Sequence, residues 1–349
     1  MDQRSIGLYL SRILSGFLIF IHKGKKYKLI YPDISVKYEA EIFAHQEYLN
    51  NKFNDWIKDE EIIDALISIG LWNYHGDSHL KSLEKQIEDI KIDLYKNFLN
   101  ATKLKQLRRS LSSTNKLYHK LYDTRHSLDH LTIEGYSQLL RNHYILINSI
   151  YDENNNRVFK SPESTDYVEL TQISDTISDF HIDMSTYREI ARNEMWKNYW
   201  SANNNNLFDK STINWTDEQK TLVIMTKMYD SAYSHPECPP DTVIEDDDLF
   251  DGWMLHQKRE NDKNKNKSRT EKLLVGKNLD KANEVFVMAS SNEEAQNIYD
   301  LNDNTSRNII RERNQVISSI GTVDGNQLPD TLRQINVQVN EQFKNNFRK

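Results

Sequence analysis

Two pairs of histidines stand four residues apart, His75 with His79 and His126 with His130. On a helix that spacing puts both imidazoles on one face, the geometry a zinc or iron site uses. Asp77 lies within the first pair, Asp129 within the second, and Asp123 just ahead of it. Asp123, His126 and His130 are therefore the candidate ligands of a His/Asp centre, and a metal-dependent enzyme is one reading of the chain. Against it, Gly76 sets the first pair in a loop. Neither pair has the His-Glu-x-x-His order that supplies a general base. The favoured expectation is histidines on helix surfaces and at helix ends, with no metal and no other cofactor.

The run Glu245-Asp246-Asp247-Asp248-Leu249-Phe250-Asp251-Gly252-Trp253-Met254 concentrates acids ahead of an apolar stripe. A calcium loop needs alternating ligands, a glycine at its sixth position and a glutamate at its twelfth, which this stretch lacks. Aspartates also belong at the start of a helix, where one accepts from free first-turn N–H groups and the others meet the positive end of the dipole. A helix cap is expected here, with the basic residues from Lys258 onward suiting the opposite end. Cys238, the single cysteine, lies between Glu237 and Asp241, which raise a thiol's pKa; a plain thiol is expected. No G-x-G-x-x-G, no G-x-x-x-x-G-K-[ST] and no G-x-S-x-G occurs, so phosphate-cradling loops and esterase elbows lack support.

Between Lys258 and Lys277 eight bases face three acids, which makes this segment the candidate for phosphate contact, with Arg259 and Arg269 foremost. Interleaved asparagines and the lack of stacking aromatics favour a solvated linker helix instead. A net charge of −7 argues against a general nucleic-acid binder, although a local basic patch is compatible with it.

The elements that must position these residues are helices. Ten glycines and six prolines in 349 residues are too few for the frequent turns of a β or α/β chain. Apolar residues make up only 38% and charged residues 28%, which suggests a thinly cored, elongated protein. The chain is long enough for two or more domains. The apolar run 6–21 contains Arg12 and is too short and too interrupted for a membrane span, so a soluble protein of the cytoplasm is expected.

Residues 16–31 predict a β-hairpin, with Phe17 to Ile21 as one strand, Lys23-Gly24-Lys25 as the turn, and Tyr27, Leu29 and Tyr31 alternating with lysines. Val36, Ala40, Phe43, Tyr48 and Phe53 mark one face of a helix over 35–53. Asp59 is expected to cap a short helix ending at Gly70. Apolar residues from Leu80 to Leu111 recur at threes and fours, predicting one amphipathic helix of about eight turns. Another begins near Thr114 or Thr132. Residues 152–164, with Pro162, read as a linker. Helices near 166–179, 184–201 and 216–233 then carry an aromatic-rich second core. Further on come a strand-like run at 284–288, a capping box at Ser290 or Ser291, a helix near 303–318 and a polar tail.

The organisation expected is a hairpin plus helical bundle over 1–151, a linker over 152–165 and an aromatic-rich helical domain over 166–240. A charged helix with a short βα segment over 241–320 and a polar tail over 321–349 complete it. The fold class is mainly α.

Residues 284–317 ("EVFVMASSNEEAQNIYDLNDNTSRNIIRERNQVI"), 246–259 ("DDDLFDGWMLHQKR") and 26–61 ("KYKLIYPDISVKYEAEIFAHQEYLNNKFNDWIKDEE") together resemble virion and tail-assembly proteins of large T4-like tailed bacteriophages. The resemblance implies a noncatalytic structural or assembly protein of the tail, baseplate or neck. It would bind other virion proteins, in the particle or in the host cytoplasm during assembly. No catalytic residue is carried over by it. Phe17, Ile19, Tyr27, Trp196, Trp200 and Trp253 are the candidate contact residues, and an oligomer is possible. Neither a membrane nor a nucleic acid is the expected partner.

Overall fold

The computed structural model describes residues 2–52, 54, 56–203 and 206–274, with side chains as far as 265, and a few positions between 295 and 337. By its contacts the chain divides into two units, Met1–Leu255 and His256–Lys349. The described residues are mainly α-helical with one small antiparallel sheet.

The first unit opens with α1 (Gln3–Ser15), capped by Asp2 and closed at Gly16. The hairpin follows as β1 (Phe17–His22) and β2 (Lys25–Ile30). Its two-residue turn puts Lys23 and Gly24 at φ 50° and 75°. Both left-handed residues match the twist of the flanking strands, and glycine takes the second at no steric cost. The sheet order is β1-β2-β3, with β3 (Ile150–Tyr151) pairing Leu29 with Ile150. One face of the hairpin, Leu18, Phe20, Tyr27 and Leu29, is buried against Leu170 and Ile173 of α7 (Tyr167–Ser178). A two-stranded hairpin is marginal in water, and this packing supplies the missing burial.

Between the sheet strands lie α2 (Ile34–Asn51), α3 (Ile62–Ser68), α4 (Gly76–Lys96), α5 (Ala101–Arg125) and α6 (Ile133–Ile147). The single helix expected over 80–111 is two helices. α4 ends at Asn97, and Asn100 restarts the chain by accepting from the Lys103 N–H. Asparagine competes for backbone partners and so favours such breaks. The pair folds back on itself, which places Asp77 beside Arg125 and Glu84 beside Tyr118. Asp59 is not the cap expected of it: α3 starts after Glu61, and no side chain caps it. Thr132 does cap α6, accepting from Gly135.

The segment 152–165, expected as a linker, is packed into the fold. Tyr151 bridges Arg157, and Phe159 is buried in the same cluster as Leu18 and Phe20. One aromatic ring in a polar stretch suffices to anchor it. The remaining helices are α8 (Met184–Arg192), α9 (Glu194–Ala202), α10 (Asp217–Tyr233), α11 (Asp241–Ile244) and α12 (Asp247–Leu274). The expected helix over 184–201 is broken at Asn193, whose side chain caps α9. Thr216 and Gln219 form a capping box on α10.

The largest core joins Ile6, Leu10 and Ile13 of α1 to Tyr187, Ile190, Trp196, Leu222, Tyr229, Phe250 and Trp253. It thus unites the N-terminal helix with the aromatic-rich helices. Of the second unit, α12 beyond Leu255 is helical, and Asp303 accepts from the Ser306 N–H. The strand expected at 284–288, the capping box at Ser290 or Ser291 and the tail from 321 lie outside the described residues, apart from Val337. Among the described residues no helix is long and apolar enough to cross a membrane.

Candidate functional site

The acidic run is a helix start, as expected, with Asp246 accepting from the Leu249 N–H at 3.0 Å. Its sequence gives no hint of what else it does. Asp246 meets Arg108 of α5 at 2.5 Å, and Asp247 meets Arg192 of α8 at 2.7 Å. The two oxygens of Asp251 are divided between Arg188 of α8 at 2.7 Å and Lys91 of α4 at 2.6 Å. Four cations from three helices therefore converge on one turn of α12. Burial works against the Arg188 charge, but Asp251 and Asp247 outweigh it and raise its pKa. Asp248 stands apart: burial pushes its carboxyl above the ordinary 3.8, and Lys91, 3.9 Å away, only partly offsets this. A Cβ on Gly252 would lie 2.0 Å from the Lys91 carbonyl oxygen, so glycine is what lets α12 approach α4 this closely. The arrangement joins helices α4, α5 and α8 to the start of α12.

A second polar cluster sits between α1, the end of the hairpin and α10. Arg12, the charge that interrupts the N-terminal apolar run, pairs with Glu218, and the Tyr31 hydroxyl donates to the same carboxylate at 2.8 Å. Burial and the adjacent Glu218 push Tyr31 up to about 12. Like the acidic turn, it is a tie between elements.

The metal candidates do not assemble. His126 is the C-terminal cap residue of α5 and pairs with Asp129 at 2.6 Å. His130 lies in a short turn of 3-10 helix, and Asp123 is exposed on α5. The chain leaves α-helical geometry after Arg125, so the i, i+4 spacing no longer puts His126 and His130 on one face. Among the described residues no group of three or more His, Cys, Asp or Glu side chains could hold a metal ion. Cys238 is exposed, with its thiol 3.4 Å from the Pro239 carbonyl oxygen. In the basic segment Lys263 pairs with Glu260, and the side chains from 266 on lie outside the described residues.

Of the six contact candidates, three are core. Trp196 is fully buried, and its indole N–H donates to Thr226 at 2.7 Å. Trp253 is buried against Phe250 and His235, and Tyr27 is buried against Phe20. Helical or strand periodicity assigns such rings to an apolar face, and here that face is covered by the chain's own elements. Trp200 is half-buried and donates to Asp230, while Phe17 is half-buried under the Lys28 ammonium. Ile19 alone of the six is exposed, on the outer face of β1, with Ile21 beside it.

A further exposed apolar surface is one that periodicity along the sequence did not single out. On α2, Ala40 and Ala44 face α6, where Ser137 donates to the Ala44 carbonyl and Phe43 stacks obliquely on Tyr144. Ile34, Tyr38, Ile42 and Leu49 lie on another face and are 59%, 67%, 42% and 49% exposed. At 100° per residue these four fall within an arc of about 80°. A helix apolar on two sides was the signal available, since an ordinary surface helix carries one apolar stripe.

The chain matches no family model, no curated protein and no solved structure. Its function is therefore argued from these surfaces and from the resemblance of residues 26–61, 246–259 and 284–317.

Proposed function

We propose that the protein is a noncatalytic assembly subunit that works by docking onto other proteins, and that its setting is the tail, baseplate or neck of a tailed-phage particle. The observation that carries the docking part is the second apolar face of α2. Four large exposed apolar side chains lie in one arc of α2, away from the face that packs on α6, and apolar surface of this kind marks interaction sites. Isolated exposed apolar residues need no such explanation; a row of them along one helix does. The phage setting rests on the resemblance alone.

The test is sedimentation of purified particles with mass spectrometry of their components. The chain is expected in the particle fraction, or in a stable complex with one virion component. Ile42→Glu with Tyr38→Glu should abolish that association without lowering the thermal midpoint, because both side chains are exposed. A wild-type protein that stays monomeric and sediments with no virion component overturns the reading.

A further inference from the structure

The outer face of α5 carries a charge imbalance that neither the acidic turn nor the docking face of α2 absorbs. From Ala101 to Asp123 this helix holds Lys103, Lys105, Arg108, Arg109, Lys116 and Lys120 against a single acid, Asp123, which follows Lys120 on the same face. All six bases are exposed. Arg108 is engaged by Asp246, whereas the other five make no ion pair among the described residues. Lys105, Arg109, Lys116 and Lys120 follow one another at i, i+4, i+11 and i+15. At 100° and 1.5 Å per residue they form a row about 60° wide and about 22 Å long. Ser112 and Ser113 flank the row on its two sides. Both serines line an open groove of about 670 Å³ together with Lys105, Arg108, Arg109 and Lys116 and the apolar Ala101 and Leu104 at its N-terminal end.

We propose that this face of α5 binds the phosphate backbone of a nucleic acid without reading its sequence. Ammonium, guanidinium and hydroxyl groups are the donors that phosphate oxygens accept from, and a straight row of them positions a backbone rather than a base. The row holds no aromatic ring on which a base could stack. An acidic protein partner fits less well, because protein interfaces are depleted in lysine and enriched in aromatics and methionine. A membrane surface fits less well too, since the apolar side chains nearest the row, Leu104 and Leu117, are too few and too scattered to sink a helix face below the headgroups. The overall charge of −7 does not forbid the contact. Exposed charges more than about 8–10 Å apart are largely screened at physiological salt, so the ligand senses the row and not the whole chain. The row shares no residue with the basic segment 258–277, and it stands whether or not α2 docks a protein.

Fluorescence anisotropy of the full chain with a labelled duplex of about 20 base pairs tests this between about 50 and 200 mM salt. Four phosphate contacts at about −0.9 each give a slope of log affinity on log salt of about −3 to −4, a loss of about a hundredfold over that range. The variant K105Q/R109Q/K116Q/K120Q should lower affinity at least tenfold at low salt and flatten the slope, with a thermal midpoint no lower than that of the wild type. K258Q/K263Q/K265Q should alter neither. Should the quadruple variant fold poorly, Lys105→Gln and Lys116→Gln singly should each reduce the slope by about one.

Absence of duplex binding by the wild type overturns the proposal, as does a quadruple variant that binds like the wild type. Loss of binding in the 258–265 variant instead moves the site and overturns it equally. Poly-glutamate or phosphatidylserine vesicles bound as tightly as the duplex assign the row to another class of partner, which also overturns it.

Discussion

Two blocks of like charge occupy this protein, and they meet opposite fates. The acids at the start of α12 draw in Lys91, Arg108, Arg188 and Arg192, so that a sequence resembling an ion-binding loop becomes a joint between helices. The bases of α5 from Lys103 to Lys120 give up only Arg108 to that joint and otherwise face solvent. A run of one charge sign is thus a site only where the fold leaves it unneutralised. The sign of the net charge says little about which block that will be.

The contrast predicts a steep cost for breaking the joint. Asp251→Ala removes the short contact of both Arg188 and Lys91, whose side chains are 15% and 21% exposed, and leaves them only the carboxylates of Asp247 and Asp248 at 3.9 Å. Removing one partner of a fully buried pair costs about 3–5 kcal/mol, and residual exposure here brings the expectation to about 2–4 kcal/mol. Urea unfolding measures it, and Arg188→Met in the same background should recover part of the loss by removing one stranded cation. A cost under about 0.5 kcal/mol would place the acidic turn among ordinary surface charges and erase the distinction.

Next in size is Gly252→Ala. The added methyl meets the Lys91 backbone, which cannot rotate away as a side chain would. Separating α12 from α4 should cost about 1–3 kcal/mol, the usual range for overpacking. It should also weaken the effect of Asp251→Ala, because Lys91 is then farther from its partner. Additive losses in the double variant would show that the close approach and the ion pairs are independent.

How much of this was readable beforehand follows from the range of each interaction. The hairpin was, because Lys23-Gly24 and the alternation of Tyr27 and Leu29 are local. The cap at Asp246 was too. The cations were not: Lys91, Arg108, Arg188 and Arg192 lie 160, 138, 63 and 55 residues from the acids they meet. Periodicity assigned Trp196 and Trp253 to apolar faces correctly, but it carries no information on whether a face is covered by the same chain. It also ran unbroken through Asn97–Asn100, where a backbone cap and not hydrophobicity decides the turn. On α2 the core face drew attention and the second apolar face was passed over.

A smaller effect separates the acids within the turn from one another. Asp248 is the one whose carboxyl is pushed up, chiefly by burial, so the folded state holds its proton above 3.8 where the unfolded chain has begun to release it. Through that window the native state binds more protons, and stability contributed by this group falls as pH rises. Asp248→Asn should therefore remove a downward slope and leave the neutral-pH midpoint equal or slightly higher, as read by thermal unfolding across acid pH. A fall at neutral pH comparable to that of Asp251→Ala would show Asp248 to be a full member of the joint.

The smallest effect is the most telling for the basic block, because its sign is opposite. Lys105 with Arg109, and Lys116 with Lys120, are like charges four residues apart on one helix face, each pair costing about 0.2–0.5 kcal/mol. Lys103 and Lys105 stand near the positive end of the α5 dipole, which adds to the cost. Lys116→Gln should therefore stabilise the folded chain by a few tenths of a kcal/mol at low salt, and the gain should vanish as salt screens the pair. Stability thus opposes this arrangement of α5, whereas at the acidic turn stability and charge pairing act together. A Lys116→Gln variant that is less stable at low salt would mean the lysine has a partner within the fold, and the row would then be one more internal joint.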